Sequence, residues 1–396
     1  MSKPSNTGWR SAGLGAAFLM ATSAIGPGFL TQTTVFTQQL LSSFGFVILV
    51  TILLDIGAQL NIWRILVVTE KRAQDLSNQL LPGLGYLLAI LIVLGGLAFN
   101  IGNIGGAGLG LNVVTGINPT TGAIISCVMS LAIFWVKEAG KAIDIVTKVL
   151  GLMIIVLTLY VAISSHPPIM DALQHSIFPT TISPMAIVTI VGGTVGGYIS
   201  FAGAHRLLDA GVTGPEAIPQ VTKSSVTGIL ITAFMRMALF IAALGVITSG
   251  AIINPANPPA SVFSAAAGQI GYRFFGVVMW CASITSVIGS AYTSVSFLRS
   301  FHPWLEKHHR SLISAFIIFS TVVLALIGKP VKILVAVGAL NGLILPIALT
   351  VMLLAIRNKR LVPTYRHPRW MTAAGWLVVA IMAWLGISAI VQMVVK

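Results

Sequence analysis

Long apolar runs alternate along the chain with short polar or basic connections. Eleven of these runs are predicted to be helices, at about 11–41, 44–66, 84–111, 119–136, 142–163, 185–210, 223–249, 272–298, 311–328, 331–356 and 370–394. Each is long enough for one bilayer crossing, which takes roughly 20 mostly apolar residues. The runs are continuous, whereas membrane β-barrels show alternating segments of about 10 residues. Several exceed what a crossing needs, which implies tilt or an interruption. No stretch reads as a separate soluble domain, so residues 1–396 are expected to form a single all-α transmembrane domain.

Composition agrees. Of 396 residues, 56% are apolar and only 8% charged, and the mean hydropathy is +0.95. A soluble domain carries about 25% charged residues. The net charge of +14 would point to nucleic acid in a soluble protein, but its distribution gives another cause. Eighteen of the 23 Lys and Arg residues fall in the N-terminal tail and in, or at the span ends beside, the connections after the second, fourth, sixth, eighth and tenth spans. Cytoplasmic connections of membrane proteins carry this excess. The predicted topology is an inner (plasma) membrane protein with a cytoplasmic N-terminus and an external C-terminus, with no nucleic-acid partner. Lys3, Arg10 and the triplet Thr22-Ser23-Ala24 resemble a signal peptide, but the apolar run resumes after Pro27, so this segment is read as the first span. Cys127 and Cys281 lie inside apolar runs and suggest neither a disulfide framework nor a zinc site.

Two spans carry helix breakers at their centres. The first contains Gly26-Pro27-Gly28 and the sixth contains Gly192-Gly193-Thr194-Val195-Gly196-Gly197. Pro removes a backbone donor and Gly weakens a helix by about 1 kcal/mol relative to Ala. Either set alone is compatible with ordinary close packing. Together they fall at equivalent points of two five-span halves, which predicts two inverted repeats (about 11–163 and 185–356) plus an extra helix at 370–394. Interrupted helices at matching points of two halves mark the binding site of a carrier. Their free N–H ends favour anions and their carbonyl ends favour cations.

Four polar residues lie deep in the spans. Asn100 and Asn103 are one turn apart in the third; they line a cavity or bond a neighbouring helix. The spacing of Gly102, Gly106 and Gly110 predicts a close-packed face. Asp55 lies mid-way along the second span and Arg236 mid-way along the seventh. A charge at the bilayer centre costs about 2.5–3.5 kcal/mol. Either the two pair with each other, or Arg236 faces the cavity and attracts an anionic substrate while Asp55 carries a coupling proton. Thr285-Ser286 and Thr293-Ser294 in the eighth span offer hydroxyls for sodium or for their own helix backbone.

Eleven spans with breaks in the first and sixth resemble the amino acid–polyamine–cation superfamily. Within it, the chain is most similar to the natural resistance-associated macrophage protein (Nramp) family of metal transporters. Residues 65–76, including Ile65-Leu66-Val67-Val68-Thr69-Glu70-Lys71 and Asp75-Leu76, resemble the family's second-span exit, L-G-I-V-T-G-K-D-L. Gly106-Ala107-Gly108-Leu109-Gly110-Leu111-Asn112 resembles its third span, and Leu340-Asn341-Gly342-Leu343-Ile344-Leu345-Pro346 its tenth. The family's metal-binding side chains do not carry over. Its first-span motif D-P-G-N is replaced by Gly26-Pro27-Gly28-Phe29, and its sixth-span Met by Gly196-Gly197-Tyr198. The third-span acids of its proton route fall on Asn100 and Asn103. A divalent ion needs carboxylate, amide or thioether donors to replace its water.

The expected function is therefore a secondary transporter working by alternating access. Its cargo would be a small organic solute, a carboxylate or amino-acid-like molecule, with Phe29 and Tyr198 as apolar wall. The alternative is a divalent metal cation: manganese, iron or magnesium. The coupling candidates are a proton, through Asp55, or sodium. No cofactor is implied, and no cluster of His, Asp or Glu at membrane depth suggests an enzyme.

Overall fold

The computed structural model describes residues 26–362 and 365–395. All regular structure among them is helical. The helices are α1 (Pro27–Leu40), α2 (Phe44–Thr69), α3 (Ala73–Leu80), α4 (Leu84–Thr115), α5 (Pro119–Trp135), α6 (Lys137–Ser164), α7 (Ile169–Ile177), α8 (Pro184–Thr194), α9 (Ile199–Asp209), α10 (Ile218–Thr248), α11 (Pro258–Arg299), α12 (Pro303–Lys307), α13 (His309–Ile327), α14 (Pro330–Arg357) and α15 (Arg369–Val395). Two short 3-10 turns, Leu41–Ser43 and Pro215–Ala217, complete the path.

Burial is inverted relative to a water-soluble protein. Leu326 is 83% exposed and Ile163 79%, whereas Gln32, Thr33, Asn100 and Asn341 are fully buried. Lipid satisfies the first group. The second needs partners inside the bundle, because hydrocarbon offers no hydrogen bonds.

Among the described residues, eight helical stretches are long and apolar enough to cross a membrane, or nine if the pair Gly151–Ser164 and Ile169–Ile177, bent by 104°, counts as one. The sequence predicted eleven. The difference has two sources. Pro27–Thr69 counts as one stretch of 43 residues, although Leu41 (φ 48°) turns the chain between α1 and α2. Pro119–Trp135 is a shorter apolar helix of 17 residues. The eighth predicted span began at 272, but α11 begins at Pro258 and breaks at Gly268, whose φ of 60° is left-handed. The Ala- and Ser-rich turn before that glycine is too mildly apolar to read as part of a crossing. Residues 11–25 of the first predicted span lie outside the described residues.

Close helix approach sets the core. The long α4 runs against α11, and a Cβ on Gly110 would come within 2.6 Å of the Trp280 backbone nitrogen. The same glycine face continues to Gly106, which meets Pro27 and Ser283. On the other side of the bundle, Gly192 of α8 packs directly on the Gly338 carbonyl and on Gly342 of α14. The predicted small-residue face is thus a packing surface.

The basic connections gather at one end. Arg72 pairs with Asp209 at 2.7 Å and donates to the Ser296 carbonyl, Gln74 donates to Ser300, and Arg299 pairs with Glu306. Burial pushes the Asp75 carboxyl up, opposed by Ser300 and Arg72. At this end, too, the loop before α15 is latched to α2. His367 Nε2 lies 2.8 Å from Asn61 Oδ1, and Tyr365 Oη lies 3.3 Å from His367 Nδ1. Neutral histidine fits both, with Nε2–H donating and Nδ1 accepting. Burial, with Arg64 nearby, pulls the His367 pKa down to about 4 from 6.5. Between those values the unfolded chain binds the extra proton, so the latch contributes stability above pH 6.5 that is lost as pH falls towards 4. Thermal unfolding in detergent should show a midpoint that drops over this window, and His367→Gln should remove that part of the drop.

Candidate functional site

The sixth-span break forms as predicted. Three small residues, Gly192, Gly193 and Thr194, end α8, and the chain leaves helical geometry at Val195 (φ −128°, ψ 8°) before α9 resumes at Ile199. Asn341 of α14 holds the irregular backbone. Its carbonyl accepts from Gly197 N–H at 3.2 Å and its Oδ1 accepts from Tyr198 N–H at 3.3 Å. Its Nδ2 donates to the carbonyls of Gly95 and Val337, both at 3.1 Å. One amide side chain thereby joins α4, α14 and the break. Such irregular backbone persists at membrane depth only where protein satisfies it. Farther along, Ser200 Oγ donates to the Val195 carbonyl and Trp63 Nε1 to that of Ser200.

The first-span motif forms a helix start. Gly26 is the extended N-cap residue of α1, and Pro27 occupies the first helical position. The Gly26 carbonyl accepts from Leu30 N–H. The first-turn N–H groups of Gly28 and Phe29 have no acceptor within the helix, so this end carries partial positive charge. Gln32, one turn on, reaches across to α14, donating to the Leu334 carbonyl at 2.8 Å, while its Oε1 makes no hydrogen bond.

Arg236 of α10 joins the two motifs. Its guanidinium carbon lies 4.4 Å from the centroid of the Phe29 ring, within cation–π range. Its Nη1 donates to Thr194 Oγ1 at 2.8 Å. One buried side chain therefore touches the first turn of α1 and the last residue of α8. The α8 C-terminus favours the cation and the α1 N-terminus opposes it. Nε and Nη2 make no hydrogen bond. Asp55 is 2% exposed, and its Oδ1 likewise has no partner. Asp55 and Arg236 act on each other electrostatically, with no hydrogen bond between that oxygen and those nitrogens.

Not every predicted residue converges here. Phe29 packs with Met235, Leu239 and Leu334, but Tyr198 belongs to a different apolar cluster and stacks near Phe99, 5.6 Å between centroids. The break turns Tyr198 towards α4 and α11, where its hydroxyl donates to the Gly289 carbonyl at 3.5 Å, so the two aromatic rings pack in different clusters. Gly196 sits on Gly192 and Asn341, and Gly197 on Ile344, so both are braced against α14. Asn100 is fully buried and neither end of its amide has a partner; Asn103 is 6% exposed. Thr285 and Ser294 bond carbonyls of their own helix, the bland reading of those hydroxyls. Among the described residues, no group of three or more His, Cys, Asp or Glu could hold a metal. Gln32 and the bracing role of Asn341 escaped the sequence reading. An amide inside an apolar span was the available signal for both.

The sequence pattern of the natural resistance-associated macrophage protein-like family matches residues 17–392. The chain belongs to that family. The uncharacterized membrane protein YcsG of Bacillus subtilis is 62% identical over 374 residues, covering 94% of this chain and 93% of its own. An uncharacterized membrane protein of Haemophilus influenzae is 58% identical over 383 residues, covering 97% and 96%. A variant of the Eremococcus coleocola manganese transporter shares the fold at a TM-score of 0.73 and 18% identity, over 98% of this chain and 88% of that one. MhsT in complex with L-phenylalanine matches at 0.63 and 15%, over 99% and 98%. The Nramp-like assignment made from the sequence therefore holds.

The Asn341 brace makes a prediction. Asn341→Leu leaves the buried Tyr198 N–H without its partner and removes the cross-helix bond to the Gly95 carbonyl, at roughly 1–3 kcal/mol for the orphaned donor. Thermal unfolding in detergent should show a midpoint at least ~3 °C below that of the native protein.

Proposed function

We propose that this Nramp-like protein is a secondary transporter whose cargo passes between the start of α1 and the α8–α9 break. The carrying observation is Arg236, which touches Phe29 and Thr194 at once. Two broken-helix motifs from distant parts of the chain thus share one buried point, the arrangement around which alternating access operates. The proposal includes eleven crossings in two inverted five-helix repeats plus α15, an N-terminus on the cytoplasmic side of the plasma membrane, and Asp55 as carrier of a coupling proton.

For the cargo, kinship favours a divalent metal cation over an organic solute. The Nramp-like resemblance implies metal transport, and a manganese transporter shares the fold over nearly the whole chain. The second reading, a small carboxylate or amino-acid-like solute, is favoured by one local observation. A buried guanidinium with two unpartnered nitrogens stands at the junction, a poor neighbour for a bare dication and a good one for a carboxylate.

Uptake into proteoliposomes separates these readings. Mn2+ and small carboxylates would be offered to the same vesicles under inward proton or sodium gradients. Accumulation of either supports a transporter, and its identity decides the cargo; a protein that moves neither, with or without a gradient, contradicts the proposal. If Asp55 carries the proton, Asp55→Asn should abolish gradient-driven accumulation and keep exchange across vesicles loaded with cargo.

A further inference from the structure

A cavity of about 350 Å³ opens at the end of the bundle opposite the basic connections. Its lining includes Lys329, Lys332, Asn118 and Pro119, and no Asp or Glu. Two long helices start on it: α5, with Asn118 as N-cap and Pro119 first, and α14, with Lys329 as N-cap and Pro330 first. Both helix ends and both lysines bias the cavity towards negative charge. Its inner wall includes Leu109 and Val331. Leu109 belongs to the same apolar cluster as Phe29, Leu334 and Met235, and Val331 packs against that cluster. Phe29 in turn carries the Arg236 guanidinium on its ring. The cavity wall and the Phe29 ring thus belong to one apolar cluster.

Arg236 is itself incompletely bonded. It is 3% exposed, and only Nη1 has a hydrogen-bond partner, whereas Nε and Nη2 have none. Phe29, whose ring it covers, belongs to the first turn of α1, where the N–H groups have no acceptor within their helix. A planar fork of donors plus a helix N-terminus is a receptor for a carboxylate. Lys329 and Lys332 at the cavity and the Arg236 guanidinium at the junction are all cationic, with Asp55 the one acid that acts on Arg236.

We infer that the Lys329/Lys332 cavity is an entry vestibule for small carboxylate anions and that Arg236 is the residue that receives the carboxylate. This rests on the transporter reading and deepens its second cargo reading. Two sources could present the same chemistry: a free carboxylate, or a carboxylate that arrives as a metal chelate. The lysines act on approach and Arg236 on binding, so their substitutions separate.

The test uses the full-length protein in detergent, with lactate, alanine, succinate and citrate as probes, each alone and with MnCl2, and MnCl2 alone. A carboxylate should raise the thermal midpoint by at least about 3 °C. Protection by the carboxylate alone identifies the free anion, and protection only when Mn2+ is added identifies the chelate. Arg236→Gln should weaken the effective carboxylate at least 10-fold, and Arg236→Lys should weaken it less. Should Arg236→Gln fail to fold, judged by gel filtration, Arg236→Lys and Thr194→Val supply the comparison. The double variant Lys329→Gln/Lys332→Gln should keep native affinity in detergent but, reconstituted into proteoliposomes, slow carboxylate uptake several-fold at low salt, with the difference vanishing in 0.5 M NaCl. The inference falls if no carboxylate protects the native protein, if Mn2+ alone protects and Arg236→Gln leaves that unchanged, or if carboxylate affinity survives both Arg236→Gln and Arg236→Lys. Mn2+ uptake without carboxylate binding would sink this inference and leave the transporter proposal standing.

Discussion

The contact of Arg236 with both Phe29 and Thr194 is the constraint on which the rest depends. A guanidinium inside a membrane protein is costly unless its charge is used. Here it meets an aromatic face, a hydroxyl and the negative end of α8, and it acts at a distance on Asp55. Around that point the bundle removes side chains to let backbones close in. Pro27 lies on Gly106, and Gly192 lies on Gly338 and Gly342. Asn341 then supplies the hydrogen bonds that the interrupted sixth span gives up.

This arrangement separates the backbone frame of the Nramp-like fold from the side chains that line it. The breaks are backbone features set by Gly and Pro, and they need bracing from α4 and α14 whatever passes between them. Here the Arg236 guanidinium lies between the two motifs, in contact with Phe29 and Thr194.

Much of the fold was legible in the sequence because the bilayer enforces simple rules. Apolar run length placed a helix at each predicted span, and basic residues marked one end of the bundle. The glycine clusters located the sixth-span break to within a residue or two. Legibility ended where neighbouring helices decide. The α1–α2 pair reads as one long apolar stretch, because Leu41 rather than Gly or Pro makes the turn. The start of α11 hides in an Ala- and Ser-rich segment before Gly268. Tyr198 was expected beside Phe29, but the direction of a side chain leaving an irregular break depends on hydrogen bonds from Asn341, some 140 residues away. Arg236 was singled out by its depth alone, and its partners became visible only with the helices in place.

The most direct test of the central claim is a double-mutant cycle between Phe29→Leu and Thr194→Val, read as unfolding free energy in detergent. If Arg236 ties the two motifs together, the two substitutions should be non-additive by about 0.5–1.5 kcal/mol, and the coupling should vanish when Arg236 is replaced by Gln. Strict additivity with Arg236 present would mean that the two breaks do not act as one site, and would contradict the account.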